Sequence, residues 1–286
     1  MAVSERRACR TLSQPRGTQR YQPQRPERDK ALIEAIRQLS QHHRRYGYRR
    51  ITALLRADGW SVNGKRVQRL WRQEGLKVPQ KQHKRRRLGG SENSCTRRRA
   101  ESINHVWTYD FLMDRTEDGR RLKLLVVVDE FTRESLAIEV ARHLTAADVI
   151  ETLAYLFAVR GVPRYLRSDN GPEFIAQAIR AWLASTGAET LYIAPGSPWE
   201  NAYIESFNSR FRDELLNAES FACLQEAQVL VERYRRQYNH HRPHSSLGYQ
   251  SPAAFAATCI PSAAATPPLQ EYTSSQVDNS LQKAGT

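Results

Sequence analysis

The chain has 286 residues, a formal net charge of +14 and a mean hydropathy of −0.66, which allows one or two domains with real cores. It contains no apolar run of about eighteen residues and no apolar signal-peptide segment, so the sequence predicts neither a membrane span nor secretion. The cysteines at positions 9, 95, 223 and 259 show no paired spacing, and we expect free thiols in a reducing cytoplasm.

The charge is divided unevenly along the chain. Residues 1–100 contain 27 Lys and Arg against 7 Asp and Glu, a net charge of +20, whereas the remaining 186 residues carry a net charge of −6. A cationic first third followed by a mildly acidic remainder predicts polyanion binding in front and a different activity behind. The alternatives are a basic tail without a specific role and a ribosome-binding extension.

The first hundred residues divide into three predicted segments. Residues 1–27 form a basic arm without a core of its own, residues 28–78 a helical domain, and residues 79–100 a basic linker that follows DNA phosphates. In the middle segment, apolar spacing predicts three helices, of which the second ends at Gly59 and the third is capped by Asn63 and ends at Gly75. Two short helices joined by a tight turn predict a helix-turn-helix domain.

The third helix has a polar, basic face directed away from its apolar stripe. The cationic side chains on this face are Lys65, Arg66, Arg69 and Arg72. Such residues reach phosphates and guanine edges in a major groove, so we predict that they bind DNA. The alternative is a small helical bundle with a solvated basic face.

Residues 101–258 have an α/β pattern, and residues 259–286 have the composition of a disordered tail. The predicted strands cover residues 105–112, 122–129, 135–140, 164–168 and 189–193. Four helices are predicted in this part of the chain. The first begins after Thr145, the second covers residues 173–186, the third contains Glu205, and the fourth covers residues 224–239. This order predicts a mixed sheet with helices on both faces, which is the plan of a ribonuclease-H-like core.

Residues 197–215 are predicted to form a turn followed by a helix. Ile204, Phe207, Phe211 and Leu215 recur at helical spacing and form an apolar stripe. Because seven residues at about 100° each return to within about 20° of the start, Glu205 and a cation seven residues later share one face. A carboxylate and a cation on one face suit a metal ion beside a phosphate backbone.

Three carboxylates are the candidate catalytic groups. Asp110 ends the first strand, Asp169 follows the fourth, and Glu205 lies on the helix just described. Strands one and four are neighbours in a ribonuclease-H-like sheet, so the two aspartates are expected side by side around Mg²⁺ or Mn²⁺. With Glu205, the site would hold two ions for phosphoryl transfer.

Other readings of these acids stay open at this point. Each of the three also fits a purely structural role, as a strand cap, a turn residue or a solvated side chain. Asp129 is interpreted as structural, with Arg133 as its partner, and Glu173 as an acid at a helix start.

Four motifs in one order carry a family resemblance. They are Ser-Asp-Asn-Gly-Pro-Glu-Phe at 168–174, Pro-Gly-Ser-Pro-Trp-Glu-Asn-Ala-Tyr-Ile-Glu-Ser-Phe-Asn at 195–208, Arg-Asp-Glu-Leu-Leu-Asn at 212–217, and Asn-His-His-Arg-Pro-His-Ser-Ser-Leu-Gly-Tyr at 239–249. Together with the 35 residues between Asp169 and Glu205, they resemble the DDE signature of IS3-family insertion-sequence transposases, second reading frame.

The resemblance implies a DDE transposase that cleaves DNA and transfers strands with Mg²⁺ or Mn²⁺. It implies that Asp110, Asp169 and Glu205 hold the ions, that Arg212 contacts DNA near the reacting phosphate, and that Asn170 and Gly171 shape the loop of Asp169. The segment His241-Arg-Pro-His244 is interpreted as DNA-contacting or turn-forming rather than as a zinc site.

The resemblance also implies partners and a place of action. We expect element ends and target DNA as substrates, a homo-oligomer on DNA, and a bacterial, nucleoid-associated cytoplasmic protein without a membrane association. In this family the upstream reading-frame product is joined to the second frame by ribosomal frameshifting. The rival interpretations are a simple ribonuclease-H-like nuclease and a non-catalytic DNA-binding regulator or decayed transposase.

Overall fold

The computed structural model describes residues 3–20, 25–78, 99–168, 173–192 and 201–259. Its N-terminal region is helical. The helices are α1 (Glu5–Thr11), α2 (Arg16–Gln19), α3 (Arg25–His42), α4 (Tyr48–Ala57) and α5 (Gly64–Gln73). The segment predicted as an arm without a core therefore contains two short helices, and Cys9 is buried in it. Helix α3 begins three residues before the predicted domain start.

Helices α3, α4 and α5 pack around one apolar cluster. Its fully buried members include Leu32, Ile36, Ile51, Leu55 and Val67. The side chain of Asn63 accepts a hydrogen bond from the backbone N–H of Lys65 at 2.9 Å, which confirms the predicted cap of α5. Gly59 and Gly75, which follow α4 and α5, have positive φ angles, as expected where a helix ends in the left-handed region.

The second half of the chain contains a five-stranded mixed sheet. The strands are β1 (Val106–Arg115), β2 (Arg121–Asp129), β3 (Ser135–Ala141), β4 (Tyr165–Ser168) and β5 (Glu189–Tyr192). Their order across the sheet is β3-β2-β1-β4-β5, with the first three antiparallel and the last two parallel to β1. The predicted adjacency of strands one and four is confirmed, and with it the ribonuclease-H-like plan.

Helices cover both faces of this sheet. Helices α6 (Ala146–Arg160) and α7 (Glu173–Thr186) pack on the face that carries Trp107 and Tyr109. The opposite face, which carries Leu112, is covered by α8 (Ala202–Phe211), the π-helical turn Arg212–Leu216 and α9 (Leu224–His240). Because side chains alternate along a strand, Asp110 lies on the α8 face.

The chain after α9 continues through a 3₁₀ turn at Ser245–Leu247 into α10 (Pro252–Cys259). The sequence pattern did not predict α10, and its last residue was assigned to the tail; the remaining tail residues, 260–286, lie outside the described part. Cys9, Cys223 and Cys259 are free thiols. In the described ranges, no helix is both long enough and apolar enough to cross a membrane.

Ion pairs join the N-terminal helices to the second half of the chain. Arg50 on α4 donates to Glu214 in the π-helical turn at 3.0 Å, and Arg45 lies 3.7 Å from Asp213. Glu214 also accepts two hydrogen bonds from Arg242, at 2.7 and 2.8 Å. One buried carboxylate therefore binds arginines from both halves of the molecule.

Candidate active site

Asp110 lies in the middle of β1 with a partly buried side chain, not at the end of the strand as predicted, because the pairing of β1 with β2 continues to Arg115. One carboxylate oxygen accepts a hydrogen bond from the backbone N–H of Phe111 at 2.8 Å, and the other accepts from the side-chain amide of Asn208 at 2.6 Å. Both donors are neutral, so they fix the orientation of the carboxylate and leave its negative charge uncompensated by either.

Strand β4 leads directly to the second predicted acid. Its pairing with β1 is parallel and runs from Val106 opposite Tyr165 to Thr108 opposite Arg167. The strand ends at Ser168, which is buried. Asp169 is the next residue and lies outside the described residues, as do Asn170 and Gly171. The proximity of Asp110 and Asp169 therefore stays a prediction.

Helix α8 is fixed to β1 by apolar packing and by two side-chain hydrogen bonds. Ile204, Phe207 and Phe211 are buried in the core, as the predicted stripe requires. At the start of the helix, the amide oxygen of Asn201 accepts from the hydroxyl of Thr108 at 3.0 Å, and both side chains are buried. One turn before its end, Asn208 donates to Asp110 as described above.

Glu205 lies between these two attachment points. Asn201, Glu205 and Asn208 stand at positions i, i+4 and i+7, which brings them within about 60° of one another around the helix. Because Asn201 and Asn208 both contact β1, the face of α8 that carries Glu205 is turned toward that strand. Glu205 itself is exposed, so its carboxylate is accessible to solutes.

Arg212 extends the same face by two turns. It is exposed, and its Nη2 atom lies 3.4 Å from the carbonyl oxygen of Met113 on β1. The residue begins the π-helical turn, which the sequence pattern did not predict, but its backbone angles are still those of a right-handed helix. Glu205 and Arg212 thus lie seven residues apart on a continuous right-handed helical segment, and their shared face toward the reacting DNA stays a prediction.

Two further acids, Asp129 and Glu173, compete with the three candidate acids for a catalytic role. Asp129 is buried and accepts hydrogen bonds from the backbone N–H groups of Asn104, Phe131 and Thr132. Burial raises the pKa of Asp129, although these hydrogen bonds oppose the effect. The structural role predicted for Asp129 is confirmed, but its predicted pairing with Arg133 is wrong, since that guanidinium lies over the ring of Tyr203. Glu173 begins α7, and its side chain lies outside the description.

The basic residues of α5 fall into two groups. Lys65 and Arg72 are exposed. Arg66 and Arg69 both donate to Asp29 of α3, at 2.5 to 2.9 Å, and each keeps 40% of its side chain exposed. Sequence reasoning missed this buried aspartate, which lies 37 residues before Arg66 and so gives no local signal.

Metal-binding clusters were sought only among the described residues, which exclude Asp169. Within that part, no three His, Cys, Asp or Glu side chains come together as a metal site. In the segment at 241–244, His241 is exposed and Arg242 is buried against Glu214. His244 faces a pocket lined by arginines, which is described below.

The fold and the face formed by β1 and α8 define an integrase-type α/β core behind a helix-turn-helix-like domain. Family models agree with this class: an HTH-like domain matches residues 27–86, and integrase core domains match residues 100–198 and 186–252. The chain belongs to the IS3 family of insertion-sequence transposases and corresponds to the second reading frame.

Named relatives support the assignment over most of the chain. An insertion element IS476 protein of Xanthomonas euvesicatoria is 43% identical, across 89% of this chain and 73% of its own length. An insertion element IS407 protein of Burkholderia multivorans is 38% identical, across 94% and 96% of the two chains. The transposase InsF for IS3A of Escherichia coli is 28% identical, across 74% and 76%. The chain is therefore a DNA-binding transposition protein of the polynucleotidyl transferase class.

Two solved structures are more distantly similar. The HTLV-2 integrase catalytic core domain in complex with magnesium is 17% identical, covering 55% of this chain and 99% of its own, with a TM-score of 0.44. A simian T-cell lymphotropic virus intasome in complex with a PP2A regulatory subunit is 16% identical, covering 78% and 74%, with a TM-score of 0.46. Likeness of this degree does not transfer a site or a ligand.

Proposed function

We propose that this transposase cleaves DNA at the ends of its insertion sequence and transfers the freed strand, using Asp110, Asp169 and Glu205 with divalent metal ions. The observation that carries the proposal is the attachment of α8 to β1. Asn201 and Asn208 fix the helix to Thr108 and Asp110, and Glu205 lies between them on the same helical face. In the sequence, Asp169 directly follows Ser168, the last residue of β4.

The chemistry of these donors fits a hard divalent cation. The carboxylates of Asp110 on β1 and Glu205 on α8 offer only oxygen ligands, which Mg²⁺ and Mn²⁺ prefer. Asp169 would complete the set, and two ions are proposed. A bound ion would supply Lewis-acid stabilisation of the oxygens that attack and leave in an in-line displacement.

The protein side chains have separate tasks in this scheme. Asn208 and the N–H of Phe111 hold the Asp110 carboxylate in one orientation. Arg212 reaches along the same face and would bind a phosphate near the reacting one. Water and then the freed 3′-hydroxyl would attack phosphodiesters, without a covalent protein intermediate.

The helix-turn-helix region would recognise the element ends through α5. Lys65 and Arg72 are exposed and suited to phosphates, whereas Asp29 holds Arg66 and Arg69 in fixed positions from which their exposed parts can reach base edges. Binding to phosphates releases counterions, so the affinity should fall steeply with salt.

The family assignment supplies the expected partners. We propose that the chain acts on element ends and target DNA as a homo-oligomer, in the bacterial cytoplasm and on the nucleoid. We also propose that its fully active form carries the upstream reading-frame product, joined by frameshifting. A non-catalytic regulator would bind the same ends without transferring strands.

Strand transfer on a labelled duplex carrying the element end tests the proposal. Glu205→Gln should abolish the product in Mg²⁺ or Mn²⁺ and leave DNA binding intact. Glu151→Gln is the matched control, because Glu151 is an exposed acid on α6, which packs on the opposite face of the sheet. Equal product from wild type and Glu205→Gln would refute the assignment. The frame-fused form is assayed in parallel, and binding without transfer by both forms would identify a regulator.

A further inference from the structure

A cavity lined by basic side chains lies next to α8, at the junction between α4 and the sheet region. It has a volume of about 340 Å³ and is formed by α8, the 3₁₀ turn at Ser245–Leu247, and residues from α4 and the β2–β3 connection. Five basic side chains line it, namely Arg50, Arg133, Arg210, Arg242 and His244. The hydroxyl-bearing residues Ser206, Ser245 and Ser246 also line it.

The cavity has an excess of positive charge. No acidic residue is among its lining residues in the described part of the chain. Glu214, just behind it, forms ion pairs with Arg50 and Arg242, whereas Arg133 and Arg210 form none with a carboxylate of the described residues. The Arg210 side chain forms no hydrogen bond or close ion pair with a described residue, although its charge helps lower the pKa of Glu214. Two of the four guanidinium groups are therefore available to an anion.

Arg133 supplies a second, independent observation at this cavity. Its guanidinium lies 3.6 Å from the centroid of the Tyr203 ring, and its Nη1 atom is buried without a hydrogen-bond partner in the described structure. Because an unsatisfied buried donor is unfavourable, such atoms are rare unless water, an ion or a ligand supplies the acceptor. The backbone of Arg133 is in the left-handed region, with φ of 65°, which is uncommon for a residue other than glycine.

His244 reports the electrostatic character of the cavity. Burial and then the positive charges of Arg242, Arg133, Arg50 and Arg210 lower the pKa of His244 to about 4. The imidazole is therefore neutral at pH 7, and its Nδ1 atom lies 2.9 Å from the hydroxyl of Ser246. An anion in the cavity would offset the arginine charges and raise this pKa.

The position of the cavity relative to the acids limits what the anion can be. Ser206 and Arg210 lie about 100° and 140° around α8 from Glu205. The cavity is thus on the adjoining side of the same helix, within about one helix diameter, or 10–12 Å, of the face that carries the acids. This separation suits a phosphate a short distance along the strand whose phosphodiester reacts.

We propose that the cavity binds one backbone phosphate of the DNA strand held at the active site, with Arg133 and Arg210 as its main ligands. The inference rests on the proposed function for the presence of DNA, but not on any catalytic step. Because Arg50 belongs to α4 and Arg242 to the second half of the chain, the bound phosphate also lies where the two halves meet. A bound strand would therefore fix the position of the helix-turn-helix region relative to the core.

Binding measurements in EDTA test this without requiring strand transfer. The probe is a duplex carrying the element end, in which single phosphates are replaced in turn by neutral methylphosphonates. In wild type, a methylphosphonate at one position near the reacting phosphate should weaken DNA binding about 10-fold, as expected for loss of a charge-assisted contact. Arg210→Gln and Arg133→Gln should each weaken binding to unmodified DNA about 10-fold. For both variants, a methylphosphonate at that position should cause no further loss of affinity. Each should also reduce the slope of log K against log salt by about 0.9.

Arg120→Gln is the charge-matched control, because Arg120 lies on the β1–β2 hairpin with 74% of its side chain exposed. It should keep the methylphosphonate sensitivity. Two variants are used since Arg133 is packed on Tyr203, whereas Arg210 can be replaced without breaking a described bond; circular dichroism checks that both fold.

The proposal is overturned if every variant responds to each methylphosphonate as wild type does, or if Arg120→Gln causes the same losses. It is also overturned if inorganic phosphate shifts the His244 imidazole resonances while no methylphosphonate position couples to the arginines, since the site would then bind free anions only. Failure of the proposed function would appear instead as DNA binding without transfer, with this coupling intact.

Discussion

Replacing Glu214 by Gln should destabilise the protein strongly. Glu214 is the only carboxylate that the described structure pairs with Arg242, and it also pairs with Arg50. Their side chains are 8%, 2% and 18% exposed, so the three groups are shielded from water. Removing one partner of a buried pair leaves an uncompensated charge and costs about 3–5 kcal/mol. Here two guanidinium groups lose their partner, and we expect the free energy of unfolding to fall by about that amount.

The loss should depend on pH in a defined direction. Burial alone would raise the pKa of Glu214, but hydrogen bonds and charge from Arg242, with the charges of Arg50 and Arg210, lower it overall. The folded-state pKa of Glu214 is therefore below its unfolded value. A group of this kind contributes its full stability above the unfolded pKa and loses it as pH falls through the folded pKa. The difference between wild type and Glu214→Gln should be constant from pH 7 to 5 and shrink at lower pH.

Urea unfolding followed by circular dichroism measures both effects. Glu219→Gln is the control, because Glu219 is exposed just beyond the same turn, and it should change the free energy of unfolding by less than about 0.5 kcal/mol. A loss below about 1 kcal/mol in Glu214→Gln would contradict the assigned role of the ion pairs. A difference that persists unchanged to pH 3 would contradict the lowered pKa.

Three further changes have defined outcomes. Asn208→Ala removes the 2.6 Å hydrogen bond to Asp110 and should lower strand transfer about 10- to 100-fold with DNA affinity unchanged; an effect on affinity alone would contradict this. Asp29→Asn removes the carboxylate that pairs with Arg66 and Arg69 on α5. It should lower the free energy of unfolding by about 1–3 kcal/mol, toward the low end because the side chains of both arginines are 40% exposed. It should also reduce discrimination between element ends and random DNA in competition assays. Lys65→Gln should weaken binding to all sequences alike and reduce the salt slope by about 0.9, whereas a sequence-dependent loss would show base contact instead.

The sequence predicted the helix boundaries that are determined by neighbouring residues. The bounds of α7 agree with the predicted residues 173–186, and Thr145 begins α6 with a capping box that includes Asp148. Gly161 ends α6 with a φ of 88°, where a side chain would be strained. In each case the determining residues lie within one or two turns of the boundary, so a single sequence contains the information.

The missed features depend on contacts distant in sequence. Asn201 and Asn208 reach residues 93 and 98 positions earlier, and no short-range pattern distinguishes them from other polar helix residues. Asp129 was expected to pair with the nearby Arg133, but buried backbone N–H groups satisfy it, which frees that guanidinium to stack on Tyr203. The role of the three acids thus stays a prediction from the sequence, while the groups that hold Asp110 in place became visible only in the fold.

The proposed role of Asp110 as a metal ligand is tested most directly by a switch of metal preference. Mg²⁺ requires hard oxygen ligands, whereas Mn²⁺ binds nitrogen and sulfur donors more readily. Strand transfer by Asp110→Cys should be lost in Mg²⁺ and partly restored in Mn²⁺, and Asp110→Ala should stay inactive with both ions. Near wild-type transfer in Mg²⁺ by either variant would contradict the claim that this carboxylate binds the ion on which catalysis depends.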